Sequence, residues 1–291
     1  MSKGKSKRGV IAFQGAAGAY SDLACRSAYP AMTTLPCQTF EDAFAAVARG
    51  RAQLAMIPIE NSVAGRVADI HHLLPDSGLH IVAEHFQRVN HHLLGLKGAR
   101  LADIARVHSH VHALNQCREL IRKLRLKPVV CEDTAGAAKH VAALGDPTQA
   151  AIASELAGRI YGLKSLKANI EDADHNTTRF IVMARKPLVP PVRGAIVTSF
   201  IFRVRNVPSA LLKALGGFAT NGVNMTRLES YVSPDFVAAQ FYADIEGHPK
   251  SRNVRRAFEE LAFYTHEVNI LGVYPAHPYR LKMEQRAAQK K

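Results

Sequence analysis

Short apolar runs alternate with helix-length stretches through much of this chain, and that alternation constrains its fold more than any single motif. The runs lie at residues 10–13, 54–59, 93–96, 129–131, 150–153 and 181–184, and residues 80–89 look like a further strand. Helix starts fall between them. Thr39 followed by Asp42 reads as an acidic capping box opening a helix to about residue 49. Asn61 and Ser62 read as caps of a helix continued by residues 70–74. Ser109 is a plausible N-cap for a helix with Leu114, Cys117, Leu120, Ile121 and Leu124 on its apolar face. Asp133, Thr134, Ala135 and Gly136 open another, and Ser154 caps one to about residue 161. Strands alternating with helices predict an α/β fold, a mainly parallel sheet covered on both faces.

Residues 186–191, Lys-Pro-Leu-Val-Pro-Pro, form an extended, stiff linker by composition. The order then changes to strand 195–204, helix 209–220, strands 225–231 and 236–245, helix 252–264 and strand 268–274. That is βαββαβ, a ferredoxin-like unit. The tail at 276–291 is charged and expected to be loosely attached.

Polar side chains gather where strands end. Gln14-Gly15-Ala16-Ala17-Gly18-Ala19-Tyr20-Ser21 is a strand-to-helix turn whose two glycines let backbone N–H groups approach an anion. It lacks the third glycine of the dinucleotide fingerprint. Glu60, Asn61, Ser62 and Gly65 follow the next buried strand. Ser109 with His110, Thr134, and Asn176-Thr177-Thr178-Arg179-Phe180 repeat the pattern. Such ends are where open α/β sheets bind ligands. Crossovers near 88 and 170 would act as hinges between lobe 1 (9–87 and 170–187) and lobe 2 (88–169). On an alternating strand Thr178 and Phe180 share one face and Arg179 takes the other. Glu171, Asp172 and Asp174 offer Arg179 partners. His108, His110 and His112 suggest a metal, but with Ser109 as the cap His110 and His112 point about 200° apart, so none is expected.

Composition removes several classes. No run approaches eighteen apolar residues, so no membrane span is expected. Cys25, Cys37, Cys117 and Cys131 lie too far apart for a disulfide framework or a zinc site. With no apolar leader near residue 1, a cytoplasmic protein with reduced thiols is expected. The formal charge of +14 sits partly in the tails, at 3–8 and 280–291, and is otherwise scattered. There is no basic stripe interleaved with aromatics, so nucleic acid is not an expected partner.

In their order and spacing these motifs resemble the prephenate dehydratases that carry a C-terminal ACT regulatory domain. The resemblance covers about residues 9–275. Asn176, Thr178, Arg179 and Phe180 match the family's Asn-x-Thr-Arg-Phe. The Gln-Gly…Gly-x-Tyr-Ser loop, Glu60-Asn61-Ser62…Gly65, Ser109-His110 and Asp133-Thr134-Ala135 look like the family's other signatures. The resemblance implies a two-lobed, periplasmic-binding-protein-like catalytic domain (9–187) and an ACT domain (195–275). It implies conversion of prephenate to phenylpyruvate with loss of carbon dioxide and water, on the way to phenylalanine, without a cofactor or metal. Thr178 carries the critical hydroxyl, a hydrogen-bond donor to the leaving oxygen rather than an ionised base. Ala19, Tyr20, Ser21, Asn61, Ser62, Gly65, Ser109, His110, Thr134, Asn176, Arg179 and Phe180 are the expected substrate-binding set. Backbone N–H groups around Ala19–Ser21 and Ser62–Gly65 can hold the carboxylates, and Arg179 is either a carboxylate partner or a support for the strand.

The resemblance also implies a phenylalanine site between ACT domains of paired chains, in a homodimer or homotetramer. Its first motif is matched loosely by Pro208, Ser209, Ala210 and Leu211, its second by Asn224, Met225, Thr226, Glu229 and Ser230. Tyr231 and Val232 stand where the family often has Arg-Pro, which removes a cation and a rigid turn. Two other readings compete: an arogenate dehydratase, and a non-catalytic two-lobed sensor of small molecules.

Overall fold

The computed structural model describes residues 9–67, 70–205, 207–232 and 238–288. The basic stretch at 3–8 and the expected start of the second ferredoxin-like hairpin strand at 236 and 237 lie outside them. The chain divides into two units, residues up to Ile70 with His85–Ile181, and His71–Glu84 with the chain from Val182.

The first unit begins with β1 (Val10–Gln14), α1 (Tyr20–Ala28), β2 (Thr33–Cys37), α2 (Phe40–Ala48) and β3 (Leu54–Asn61). Thr39 caps α2 through the Asp42 N–H at 3.1 Å, as its sequence predicts. β1 lies between β2 and β3 and is parallel to both. β2 was not anticipated, because Pro36 and its two threonines break any apolar run. After β3 the chain turns into β4 (Gly65–Arg66), antiparallel to β3. No helix starts at Asn61 as expected; only α3 (Ile70–Leu73) follows.

β5 (His80–Arg88) crosses into the first unit at His85, and β6 (His92–Gly95) begins a second sheet. That sheet adds β7 (Arg106–Ser109), α4 (Val111–Asn115), α5 (Arg118–Lys123), β8 (Lys127–Val130), α6 (Thr134–Leu144), β9 (Gln149–Ala153), α7 (Glu155–Tyr161) and β10 (Lys164–Lys167). The expected single helix after Ser109 is broken into α4 and α5. The strand order is β10-β6-β9-β7-β8. β7 is parallel to β8 and β9, whereas β6 is antiparallel to β9 and β10, so the sheet is mixed rather than mainly parallel. Alternation along β9 sends Ala150 and Ile152 into one core with Leu93, Val107 and Leu114. Ala151 and Ala153 enter the other, against Ala135, Ala138 and Ala157. Alanine on both sides of that second core lets α6 and α7 seat close to the strand. β11 (Thr177–Ala184) returns to the first sheet beside β3.

The second unit holds β12 (Ile196–Val204), α8 (Ala210–Thr220), β13 (Met225–Val232), β14 (Ala238–Glu246), α9 (Arg252–Tyr264) and β15 (Thr265–Pro275), the expected βαββαβ order. β12 is central, antiparallel to β14 and β15, with β13 outside β14. Phe200, Phe202, Phe218 and Phe241 form its core, each contributing about 1.5–3 kcal/mol by burial. Residues 71–84, expected with the first lobe, pack here instead. β15 runs parallel to β5 at Gly272 and Ile81. A Cβ on Gly272 would stand 2.1 Å from the Ile81 carbonyl oxygen, so only glycine lets these backbones meet.

The tail is not loose. It forms α10 (Pro278–Ala288), and Arg280 in its first turn reaches Glu84 through Nε at 2.6 Å and Nη2 at 2.9 Å. Arg280 also stands 3.8 Å from Asp244, whose other oxygen accepts from Tyr242 and from Ser199. Both carboxylates are buried, and a buried carboxylate needs such partners. Among the described residues no helix is long and apolar enough to cross a membrane.

Candidate functional site

The polar ends of β1, β3 and β11 and the start of α4 all belong to the first unit. Asn61, the last residue of β3, is the centre of the cluster. Its Oδ1 accepts from the backbone N–H groups of Val63 at 2.9 Å and Ala64 at 2.8 Å, which builds the turn into β4. Its Nδ2 donates to Asn176 Oδ1 at 2.8 Å and to Thr178 Oγ1 at 2.9 Å. All of its bonding capacity is used, and because backbone amides cannot reverse, the side chain has one orientation.

Thr178 therefore accepts a hydrogen bond, and its own O–H proton has no protein acceptor among the described residues. Asn176, nearly fully buried, passes the chain on: its Nδ2 donates to Gln116 Oε1 at 2.8 Å. Gln116 Oε1 also meets His91 Nε2 at 2.9 Å, and His91 Nδ1 meets the Tyr20 hydroxyl at 2.9 Å. Tyr20 in turn reaches the Asn90 carbonyl at 2.7 Å. One polar chain thus runs from Thr178 to the start of α1. Burial raises the Tyr20 pKa well above its ordinary value, with Cys117 and Glu171 adding to it.

Ser62 donates to the His175 carbonyl and accepts from the Thr177 N–H, while its own N–H bonds Thr177 O. It fastens β3's end to β11 and its hydroxyl is committed. Gly65 holds a positive φ of 81° at the hairpin. Ala19 is the N-cap of α1 with no side-chain bond, and its N–H is taken by Ala16 O. The donors this helix start can offer are thus the first-turn amides of Tyr20 and Ser21. Asp22 reaches back to Gly18 N–H at 2.9 Å. A Cβ on Gly18 would lie 2.7 Å from Ala157 Cα, and Ser154 and Tyr161 donate to the carbonyls of Gly18 and Ala17. The glycine loop is clamped to α7.

Several expectations need correction. Ser109 is not a helix cap. It ends β7, is fully buried, and donates to Ile152 O at 2.6 Å, because the sheet register continues through it. The cap is His110, whose Nδ1 accepts from the His112 N–H at 3.3 Å. The His110 and His112 rings lie 5.0 Å apart by centroid, not on opposite sides. Among the described residues no group of three His, Cys, Asp or Glu side chains is placed to hold a metal. Arg179 pairs with Glu60 at 3.3 Å, with only 3% of its side chain exposed. Glu171 accepts from the His91 N–H at 2.8 Å. Asp172 caps α5 through the Arg118 and Glu119 N–H groups. Phe180 is buried. Thr134 is the first residue of α6, and its neighbour Asp133 accepts from the Gly136 N–H at 2.7 Å. Asp133 and Glu132 share a cavity with Gln14, Gly15 and Gln38.

Sequence reasoning missed Gln116 and His91. Gln116 is one polar residue in a helix-length stretch, and nothing local distinguishes it.

In the second unit Ser209 is the N-cap of α8 with φ 62° and no side-chain bond, Pro208 is exposed, Ala210 is buried and Leu211 packs on the core. Asn224 donates to Glu246 at 3.0 Å, and Thr226 meets Asp244 O and Arg280. Glu229 pairs with Arg227 at 3.4 Å. Met225 and Ser230 lie in β13, paired with Ile245 and Phe241. Tyr231 is buried, its ring centroid 6.5 Å from that of His72.

A family model described as prephenate dehydratase matches residues 11–188. The chain is similar to a bifunctional N-acyl-homoserine lactone acylase/prephenate dehydratase of Komagataeibacter europaeus, 56% identical over 275 residues that cover 94% of this chain and 98% of that protein. It is similar to arogenate dehydratase 2 of Petunia hybrida, 36% identical over 281 residues, 91% of this chain and 71% of that one. Among solved structures it is similar to a prephenate dehydratase of Arthrobacter aurescens in complex with L-Phe. There the TM-score is 0.84 at 30% identity, over 92% of this chain and 90% of that chain.

Proposed function

The chain belongs to the prephenate dehydratase family of hydro-lyases, and we propose that it converts prephenate to phenylpyruvate, with Thr178 as the catalytic hydroxyl. The observation that carries this reading is the bond from Asn61 Nδ2 to Thr178 Oγ1. An accepted hydrogen bond turns the hydroxyl's proton away from Asn61, toward whatever occupies the site. Electrons of the breaking C–CO₂ bond enter the ring as the ring hydroxyl leaves, and aromatisation drives the step. What the protein must supply is a donor at the departing oxygen and neutral partners for two carboxylates. Tyr20, Ser21, Val63, Ala64 and Gly65 offer backbone N–H groups in part, but Val63 and Ala64 are already bonded to Asn61. Gly65 pairs with Asn61 across the β3–β4 hairpin, so Tyr20, Ser21 and the amide of Gln116 are the better carboxylate donors. Arg179 supports the strand through Glu60 rather than binding substrate.

The deciding experiment incubates purified protein with prephenate and follows phenylpyruvate absorbance, with arogenate run alongside because the Petunia relative is named for it. Turnover of arogenate alone, or of neither, overturns the proposal. The Komagataeibacter relative's second named activity supplies another reading, lactone-amide hydrolysis, supported by the 56% identity. Thr178→Val separates the two, since it abolishes dehydration and leaves an independent acylase intact.

The second unit is proposed to be an ACT domain that senses phenylalanine. Its βαββαβ order and the L-Phe bound to the Arthrobacter relative support this. The expected motif at Asn224–Ser230 is engaged in bonds within the unit. A homodimer or homotetramer in the cytoplasm is the expected setting. A phenylalanine titration without effect on rate, sedimentation or melting removes the regulatory reading.

A further inference from the structure

We propose that His91 is a positioning residue for this site: as a neutral imidazole protonated at Nε2, it fixes the Gln116 amide so that its NH₂ faces the ligand. The proposal deepens the dehydratase reading and rests on it for its kinetic consequence.

The inference follows from bond directions alone. Asn61 Oδ1 is held by two backbone N–H groups, so Asn61 Nδ2 must face Asn176, and Asn176 Oδ1 must receive it. Asn176 Nδ2 is then the end turned to Gln116, and Gln116 presents its oxygen. That same oxygen lies 2.9 Å from His91 Nε2, so Nε2 carries a proton. An Nδ1-protonated ring would place a lone pair against an oxygen. Reversing Gln116 to suit it would set the Gln116 NH₂ against the Asn176 NH₂. With its oxygen bonded on two sides, Gln116 Nε2 has no protein partner among the described residues, and its two N–H groups are left for a carboxylate or carbonyl of the ligand.

On the other side of the ring Nδ1 faces the Tyr20 hydroxyl at 2.9 Å; in the proposed tautomer the hydroxyl's single proton goes to Nδ1, with the Asn90 carbonyl at 2.7 Å as the competing acceptor. The groups facing His91 are Tyr20 at Nδ1, Glu171 at its backbone N–H, and His92 beside it. Cys117 lies near Tyr20, and Arg88 stands 3.9 Å from Glu171. Burial lowers the pKa of the imidazole, against the opposing influence of Gln116 and Glu171, and so favours the neutral form.

Two measurements test the proposal. Side-chain ¹⁵N spectra of histidine-labelled protein, with His91→Gln to assign the signal, are expected to show His91 neutral and Nε2-protonated from about pH 6 to 8. An Nδ1-protonated ring or an imidazolium overturns the proposal. In kinetics, His91→Phe is expected to lower kcat/KM for prephenate at least about tenfold. His91→Gln, whose Nε2 can donate to Gln116, is expected to recover to within about threefold. A folded His91→Phe protein with full activity, or a folded His91→Gln protein as poor as His91→Phe, overturns it. If neither variant folds, the spectrum of the wild type, with the signal assigned by pH and proximity to Tyr20, decides. Wild-type protein inactive on prephenate sinks the dehydratase reading and leaves the tautomer measurement standing.

Discussion

Asn61 Nδ2 lies 2.9 Å from Thr178 Oγ1 while the same nitrogen lies 2.8 Å from Asn176 Oδ1. One amide thereby aligns the hydroxyl proposed to be catalytic and ties two strands far apart in sequence. Replacing it by an isosteric acceptor reverses the arrangement. Asn61→Asp makes Thr178 donate into the strand, and kcat is expected to fall about 10²–10³-fold, with the turn at Val63 and Ala64 kept. Steady-state kinetics beside a thermal melt separate this from unfolding.

Thr178→Val keeps the shape and removes the donor. A loss of at least about 10²-fold in kcat is expected, and Thr178→Ser is expected to retain most of it. Turnover by the valine variant within a few-fold of wild type would sink the assignment.

Arg179 is the more conspicuous residue by charge, but it is buried against Glu60, which is itself 39% exposed. Arg179→Ala is expected to cost roughly 1–3 kcal/mol of stability, discounted because Glu60 remains in water. KM is expected to change little. Urea unfolding and KM measured on one preparation check this; a large rise in KM at unchanged stability would return Arg179 to the substrate.

Arg280 compensates the buried Glu84 from α10. Arg280→Met is expected to destabilise the second unit by about 3–5 kcal/mol, far more than a loose tail allows. A chain truncated after residue 276 should melt like the Arg280 variant. Melting at the wild-type temperature for either variant contradicts the latch.

Stability should depend on pH on the acid side of neutrality. Burial lowers the pKa of His91, His110 and His277 in the folded protein. The unfolded chain, with histidines near 6.5, therefore binds protons more readily. The stability tied to these groups is complete above about pH 6.5 and is lost as pH falls from there toward the lowered folded values. Urea midpoints compared at pH 5.5 and 7.5 are expected to show it, with a smaller difference in His91→Gln.

Much of this was legible locally. Thr39 and Ser154 cap their helices as read, and the helix expected to open at Asp133 does so, because a cap depends on residues two or three positions away. The βαββαβ order after the Pro-rich linker was legible because period-2 and period-3.6 patterns are written along the chain. β2 and β10 were not, being short, partly exposed strands whose partners alone define them. Ser109 misled for the same reason: as a residue before a helix it looks like a cap, and only its pairing with β8 and its hydroxyl's bond to Ile152 of β9 show that the strand still holds it.

The sequence by itself determined the positions of most strands and helices, and that polar residues collect at strand ends in the first unit. Tertiary structure decided which of those polar groups face one another and in which direction each hydrogen bond runs. Asn61 reaches Asn176 and Thr178, and Asn176 reaches Gln116, across separations of 115, 117 and 60 residues. It also decided that residues 71–84 belong with the second unit and that α10 is bound there. Periodicity and capping are properties of neighbouring residues. The direction of a buried hydrogen bond is set by its partner, and the partner here comes from another part of the chain.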